Sequence, residues 1–362
     1  MPDSPFAPRL ERLRAILAER RLDAILIAQG ENRRYLSGFT GSSAWLLISR
    51  DQALIASDFR YYEQIGKECL DFVLVKIAAQ FTDVLPEMVK TVGAKRLGFE
   101  AAAVTVAQLQ KWRAATPGTR WFATYELVEQ MRASKDEGEI ATLREAIALT
   151  DRALAYGLEQ VRPGMTEREL AWLLEAYMRT NGAEGVSFEP LVQAGPHSAM
   201  PHYKSGEGVI QEGEPLLIDM GARVRGYCAD LTRTVWVGHE PDDTFRQVYN
   251  VVLRAQEEAE RAIRAGMIGK DAHALAQKVI DDAGYGPYFG HGLGHGVGLA
   301  IHEKPSAGRI SEDVLVPNSV VTVEPGIYIP GWGGVRIEDV VLVADHGVEV
   351  LTRAPKEPIL KV

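Results

Sequence analysis

Cysteine is scarce in this chain. Its 362 residues hold Cys69 and Cys228 and no others, which is too few for a disulfide framework and fits small buried hydrophobes. Clustered positive charge is missing too: the net charge is −9, with no Lys/Arg-rich run, which argues against nucleic acid as a partner. No uninterrupted apolar stretch reaches membrane-spanning length, so no membrane partner is expected. The start, Met1-Pro2-Asp3-Ser4-Pro5, lacks a basic segment followed by an apolar one, and a cytoplasmic location is expected. Neither a Walker pattern nor a GxGxxG occurs. The stretch Gly38-Phe39-Thr40-Gly41-Ser42-Ser43 therefore reads as a connecting loop rather than a phosphate-binding turn.

Four carboxylates occupy unusual places. Asp219 follows Leu216-Leu217-Ile218, and Glu324 follows Val320-Val321-Thr322-Val323. Asp230 precedes Leu231-Thr232-Arg233-Thr234-Val235, and Glu338 interrupts an apolar run ending in Val340-Val341. A carboxylate in a buried strand is costly unless it is paired or bound to a metal. Together with His295 in a glycine-rich turn, these four suggest a shared cation site. Strand alternation puts Arg336 and Glu338 on one face of a last strand and turns Asp339 away; it also aligns Val320, Thr322 and Glu324. An oxygen-rich set suits Mn2+ or Mg2+, and the imidazole admits Co2+ or Zn2+. Four carboxylates outweigh the charge of one divalent ion. Two bridged ions are expected, an arrangement typical of hydrolases.

A hidden duplication supports this grouping. Val161-Arg162-Pro163-Gly164-Met165 recurs as Ile263-Arg264-Ala265-Gly266-Met267, each followed by a helix-like stretch. Residues 209–221 match 314–326 in pattern, which lays Asp219 on Glu324. Residues 226–230 match 334–338, which lays Asp230 on Glu338. Two related units meeting at one site would contribute equivalent carboxylates in this way.

Two domains are expected at this length. Residues 1–131 alternate helix and strand. Helical spacing of Leu10, Leu13, Ile16 and Leu17 is followed by strand candidates near 23–28, 44–49, 52–57, 72–77 and 96–100, with helices near 60–68, 81–92 and 105–115. Residues 132–362 read as α+β, helices followed by strands twice over. Ser134 or Asp136 would cap a first helix, Thr166 to Glu169 forms a capping box, and further helices cover 242–265 and 270–283.

The stretch His291-Gly292-Leu293-Gly294-His295-Gly296-Val297-Gly298 holds too many glycines for a stable helix and reads as a turn that brings backbone close to a ligand. His302 follows it, and the duplication sets His202 roughly opposite. His202, His291 and His302 are candidates for ligands, proton donors or hydrogen-bonding walls. His197, His239, His273 and His346 read as turn or surface residues.

At these residues the chain resembles the pita-bread metallopeptidases, the family of methionine aminopeptidase, prolidase and aminopeptidase P. The pattern Asp219, Asp230, His295, Glu324, Glu338 resembles that family's five-ligand signature. The stretches 291–303, 324–328 and 336–339 look like its proline-specific branch, and residues 1–131 look like the creatinase-type N-terminal domain. The resemblance implies a catalytic pita-bread domain over 132–362 holding two divalent ions, with Mn2+ expected and Co2+ or Zn2+ as alternatives. It implies that Asp219 holds one metal, that His295 and Glu324 hold the other, and that Asp230 and Glu338 bridge both. Glu324 would also shuttle a proton. His202 and His302 would stabilise the tetrahedral intermediate, and His291, His302, Tyr328 and Arg336 would frame a proline pocket.

The implied activity is an aminopeptidase that removes an N-terminal residue preceding proline, with peptides of that kind as substrate and a homodimer as the assembly. Segments 35–42 and 57–61 resemble aminopeptidase P more than classical prolidase, so tripeptides are expected to be better substrates than dipeptides. The alternative is an Xaa-Pro dipeptidase. A third reading, a silent interaction module on the same fold, is opposed by the intact ligand set.

Overall fold

The computed structural model describes residues 4–362. The chain divides into a first unit ending at Met131 and a second spanning Arg132–Val362. The first unit is built on a six-stranded mixed sheet in the order Val73–Lys76, Ala53–Ser57, Trp45–Ser49, Ala24–Ile27, Arg96–Glu100, Arg120–Thr124. Leu26, Leu47 and Leu97 from the strands pack with Phe81, Leu85, Met88, Trp112 and Trp121, giving this unit its own apolar core.

Two elements here escape the sequence reading. The helix Gly30–Ser37 opens on a polar run where apolar periodicity would be sought, because polar Asn32 and Arg33 share its inward face with Tyr35 and Leu36. Asn32 is buried and donates to Glu100 Oε1 at 2.7 Å, and Arg33 donates to the carbonyls of Ala44 and Gly41. The strand Arg120–Thr124, at the sheet edge, sets Trp121 and Phe122 side by side and shows no regular alternation.

The second unit consists of two similar halves. In the first, helices Glu137–Gln160 and Glu167–Thr180 pack on a four-stranded sheet in the order Ile359–Leu360, Leu231–Val237, Pro215–Met220, Leu191–Ala194. Both helices open on reciprocal caps. Asp136 accepts from the Glu139 amide while Glu139 accepts from the Asp136 amide, and Thr166 and Glu169 repeat the exchange. Leu143, Ile147, Leu170 and Leu174 meet Leu216, Ile218 and Val235 in the core. In the second half, helices Asp243–Ala262 and Gly269–Asp282 pack on a five-stranded sheet in the order Glu303–Ala307, Gly294–Gly296, Val320–Val323, Asp339–Ala344, Gly347–Val350.

The duplication extends to single hydrogen bonds. An isolated bridge joins Thr166 to Val209, and its counterpart joins Ile268 to Val314. The Gly164 amide donates to Ile210 O at 2.9 Å and the Gly266 amide to Leu315 O at 2.8 Å. Both glycines have positive φ, 93° and 85°, a turn conformation that a side chain would strain.

The last strand is not continuous through Glu338 as alternation suggests. Gly333–Arg336 and Asp339–Ala344 are separate strands in separate sheets, with Ile337 and Glu338 as the crossing. At the crossing the Glu338 amide donates to Thr232 O at 3.1 Å, and Asp339 then pairs with Val323. The chain thus passes from a two-stranded ribbon with Gly326–Ile329 into the five-stranded sheet of the second half.

Of the four histidines read as turn or surface residues, one departs from that reading. His273 lies buried within Gly269–Asp282 against the Phe289 ring. His197 bonds the fully buried Glu167 carboxylate at 2.8 Å. His239 and His346 are exposed. No described helix is long and apolar enough to cross a membrane.

Candidate metal and active site

The crossing at Glu338 lies in a cavity of about 920 Å3 within the second unit. Its lining includes all ten candidates: Asp219, Asp230, His295, Glu324, Glu338, His202, His302, His291, Tyr328 and Arg336. Asp219 comes from the strand Pro215–Met220, and Asp230 stands just before Leu231–Val237. His295 is the middle of Gly294–Gly296, and Glu324 follows Val320–Val323. Ligand atoms of Asp230, His295 and Glu338 all lie within 4.8 Å of one another.

The glycines flanking His295 are required by close approach. A Cβ at Gly294 would fall 2.0 Å from Thr322 O, and one at Gly296 would fall 2.3 Å from Lys304 O. Backbone packed this tightly holds the imidazole rigidly, with its amide donating to Thr322 Oγ1 at 3.0 Å.

The donor set is short of positive charge at its centre. His295 Nδ1 lies 3.1 Å from Gly296 O and donates to it, which leaves Nε2 as an acceptor in the neutral ring. That nitrogen faces Glu324 Oε1 at 3.3 Å and Asp230 Oδ2 at 3.6 Å; burial would lower the His295 pKa, but the hydrogen bond to Glu324 prevails and raises it, so a proton, or a cation in its place, has to stand between them. Asp219 Oδ1 and Glu338 Oε1 are buried and have no hydrogen-bond partner in the protein. Burial and the neighbouring carboxylates push the Asp230 and Glu338 carboxyls well above their ordinary range. Burial raises Asp219 as well, with Arg336 pulling against it. Burial would raise Glu324 too, but its hydrogen bond and charge contact with His295 prevail and bring it down to about 2. A site with this much uncompensated negative charge, one imidazole acceptor and two orphaned carboxylate oxygens fits divalent cations.

Around the cluster runs a hydrogen-bonded frame. Arg336 Nη2 donates to Asp219 Oδ2 at 2.6 Å, Nη1 to the Tyr328 hydroxyl at 2.9 Å, and Nε to Thr232 Oγ1 at 3.0 Å. Tyr328 passes the chain on to His291 Nε2 at 2.8 Å, while His291 Nδ1 donates to Gly292 O at 2.8 Å. This pattern needs a neutral His291, and burial does lower its pKa. His302 meets the His295 ring edge to face, with centroids 4.2 Å apart. Burial, then the His295 charge, lowers the His302 pKa. Asp339 points away from the cavity to Arg233 and Lys356.

Two contributors went unnoticed in the sequence. Thr232 joins Glu338 to Arg336, and the alternation Asp230, Thr232, Thr234 was the signal for it. Glu303, beside His302, is held in the interior by Arg132 and by Lys135 at 3.0 Å; no local pattern joins residues so far apart in the chain.

Residues 141–345 match metallopeptidase family M24, and residues 9–134 match the creatinase/prolidase N-terminal domain. An Xaa-Pro dipeptidase of Pyrococcus furiosus is 34% identical over 350 residues, covering 96% of this chain and 99% of that protein. The structure of an Xaa-Pro dipeptidase from Bacillus anthracis superposes with a TM-score of 0.95 at 42% identity, covering 98% of this chain and 99% of the other. That of an X-Pro aminopeptidase from Thermotoga maritima gives 0.89 at 40% identity, covering 98% and 100%. The chain therefore belongs to metallopeptidase family M24, the pita-bread peptidases, and carries the creatinase/prolidase N-terminal domain ahead of its peptidase domain.

Proposed function

We propose that this protein is a dinuclear metallopeptidase that hydrolyses the bond preceding proline, and specifically an Xaa-Pro dipeptidase. The observation that carries the reading is the convergence of Asp230, His295 and Glu338 in one cavity, their ligand atoms within 4.8 Å of one another. The dipeptidase assignment draws on the full-length relatives of that name. It departs from the tripeptide preference that the N-terminal segments suggest.

In this reading Asp219, Asp230, His295, Glu324 and Glu338 hold two divalent ions, Mn2+ being the expected one. When bound, such ions would polarise the scissile carbonyl and favour deprotonation of the attacking water. Glu324, ionised well below neutral pH, takes the water proton and hands it to the proline nitrogen, which leaves as a secondary amine. His302 and His202 donate hydrogen bonds to the oxygen that gains charge. Arg336, Tyr328 and His291 form a braced wall for the proline ring. An Xaa-Pro bond offers no N–H to a peptidase, so shape and proton delivery replace that donor. The reading includes a cytoplasmic homodimer.

Cavity size favours a second reading, an Xaa-Pro aminopeptidase acting on longer peptides. At about 920 Å3 the cavity is near the top of the roughly 300–1,000 Å3 range of small-ligand sites, which exceeds the needs of a dipeptide. Comparing kcat/KM for matched Xaa-Pro, Xaa-Pro-Yaa and Xaa-Ala-Yaa peptides with Mn2+-loaded enzyme separates the two. Dipeptides ahead by tenfold or more would uphold the dipeptidase; tripeptides ahead by that margin would replace it with the aminopeptidase. Equal turnover of the alanine peptide would overturn both.

A further inference from the structure

The segment carrying His202 into the cavity leaves the strand Leu191–Ala194 and returns without forming a strand of its own. Both of its ends are fixed. Early on, the Ser198 hydroxyl accepts from the Gly334 amide at 2.8 Å, while the buried Glu167 carboxylate accepts from the Ala194 amide at 2.9 Å and bonds His197 at 2.8 Å. At the return, Ser205 Oγ accepts from the Val192 amide at 2.7 Å and donates to Pro190 O at 3.0 Å.

The middle is held differently. The Gln193 side-chain nitrogen donates to Met200 O at 3.1 Å and to Tyr203 O at 2.8 Å, with Pro201 O at 3.5 Å. These carbonyls straddle His202. Gln193 is fully buried, and its Oε1 meets no protein donor. Burying an amide whose oxygen goes unmatched is unfavourable, and an apolar side chain would fill the space at less cost. The amide orientation is nevertheless fixed, because a flip would aim Oε1 at three carbonyl oxygens. What the amide supplies that a methylene chain cannot is the grip on the backbone around His202.

Gln193 also stands on the strand that runs beside Asp219. Leu191 pairs with Asp219, and Gln193 pairs with Leu217 in the same ladder. The grip therefore references the His202 backbone to the strand carrying Asp219.

We propose that Gln193 is a positioning residue that sets the height of His202 over the cavity, an inference that rests on the role given to His202 above. It touches no substrate and acts through His202 alone.

The test is a double-mutant cycle in the Mn2+-loaded enzyme. Gln193→Met keeps the side-chain length and removes the donor. It should cut kcat by about 10–100-fold, the scale on which displacing a catalytic group by about 1 Å acts, and leave metal content unchanged. In a His202→Ala background the same change should alter kcat less than about twofold, since contacting residues couple when they act as a unit. Gln193→Leu, which also lacks the donor, should behave like Gln193→Met and serves if the methionine variant folds poorly; melting temperature reports that directly. Full activity in either Gln193 variant would overturn the inference. A loss of undiminished size in the His202→Ala background would also overturn it, showing a structural role independent of His202. Should His202→Ala itself retain full activity, the role assigned to His202 fails first, and the inference falls with it.

Discussion

The Thr232 hydroxyl donates to Glu338 Oε2 at 2.7 Å, across 106 positions of sequence. The same oxygen accepts from Arg336 Nε at 3.0 Å. One hydroxyl thereby orients a carboxylate of the cavity and the guanidinium that steadies Asp219. Thr232→Val keeps the shape and removes both bonds. It should weaken divalent-metal affinity by about 10–100-fold, the usual cost of losing a partner that orients a ligand, with the melting temperature of the chelated protein little changed. Calorimetric titration with Mn2+ checks this; unchanged affinity would remove Thr232 from the site.

Asp230→Ala or Glu338→Ala should abolish turnover and lower bound metal, measured by elemental analysis after dialysis. These two carboxylates lie with His295 at the centre of the cluster. Full activity of the chelated wild-type protein would contradict the metallopeptidase mechanism.

His302→Ala should reduce kcat by about 10²–10⁴-fold, the range for a positioned proton-transfer group, while metal content stays near that of the wild type. His302 packs on the edge of His295 without displacing it. Loss of one metal equivalent in the variant would reassign His302 as a ligand.

The Glu303 side chain, 4% exposed, lies between Arg132 and Lys135 and also accepts from the Ala300 amide. Glu303→Ala would remove the carboxylate facing two buried cations, Arg132 and Lys135, and should cost about 3–5 kcal/mol in urea unfolding. Burial alone would raise the Glu303 pKa, but Lys135 and Arg132 prevail and lower it. A carboxylate with a depressed folded pKa adds stability that is fully present above its unfolded value, about 4.3, and is lost as pH falls through the folded value. The stability gap between wild type and Glu303→Gln should therefore hold steady above about pH 5 and shrink at lower pH. A gap that widened on acidification would contradict the ion-pair account.

Much of the site was legible because its chemistry conflicts with its surroundings: Asp219 and Glu324 stand in apolar strands, and the duplication pairs them. The two capped helices beginning at Glu137 and Glu167 were legible for the opposite reason, since their signals are local. The helix Gly30–Ser37 was not, because its buried face includes Asn32 and Arg33, whose partners lie elsewhere in the chain. The break at Glu338 was equally hidden. Alternation describes a strand but carries no sign that Val335 and Val340 belong to different sheets. Gln193 and Glu303 act through residues that only the fold brings near them.

The crossing from one sheet to the other at Ile337 and Glu338 has a consequence for the newly made chain. Asp219 and Asp230 belong to the first half of the duplicated domain, and His295, Glu324 and Glu338 to the second. During synthesis, the first half emerges with two of these side chains and no partner for them. Tight metal capture has to wait for the return of the last strands, when metal binding and completion of the fold become one event. A nascent or truncated chain would thus be inert toward the peptides around it, and hydrolytic capacity would arrive only with a finished domain.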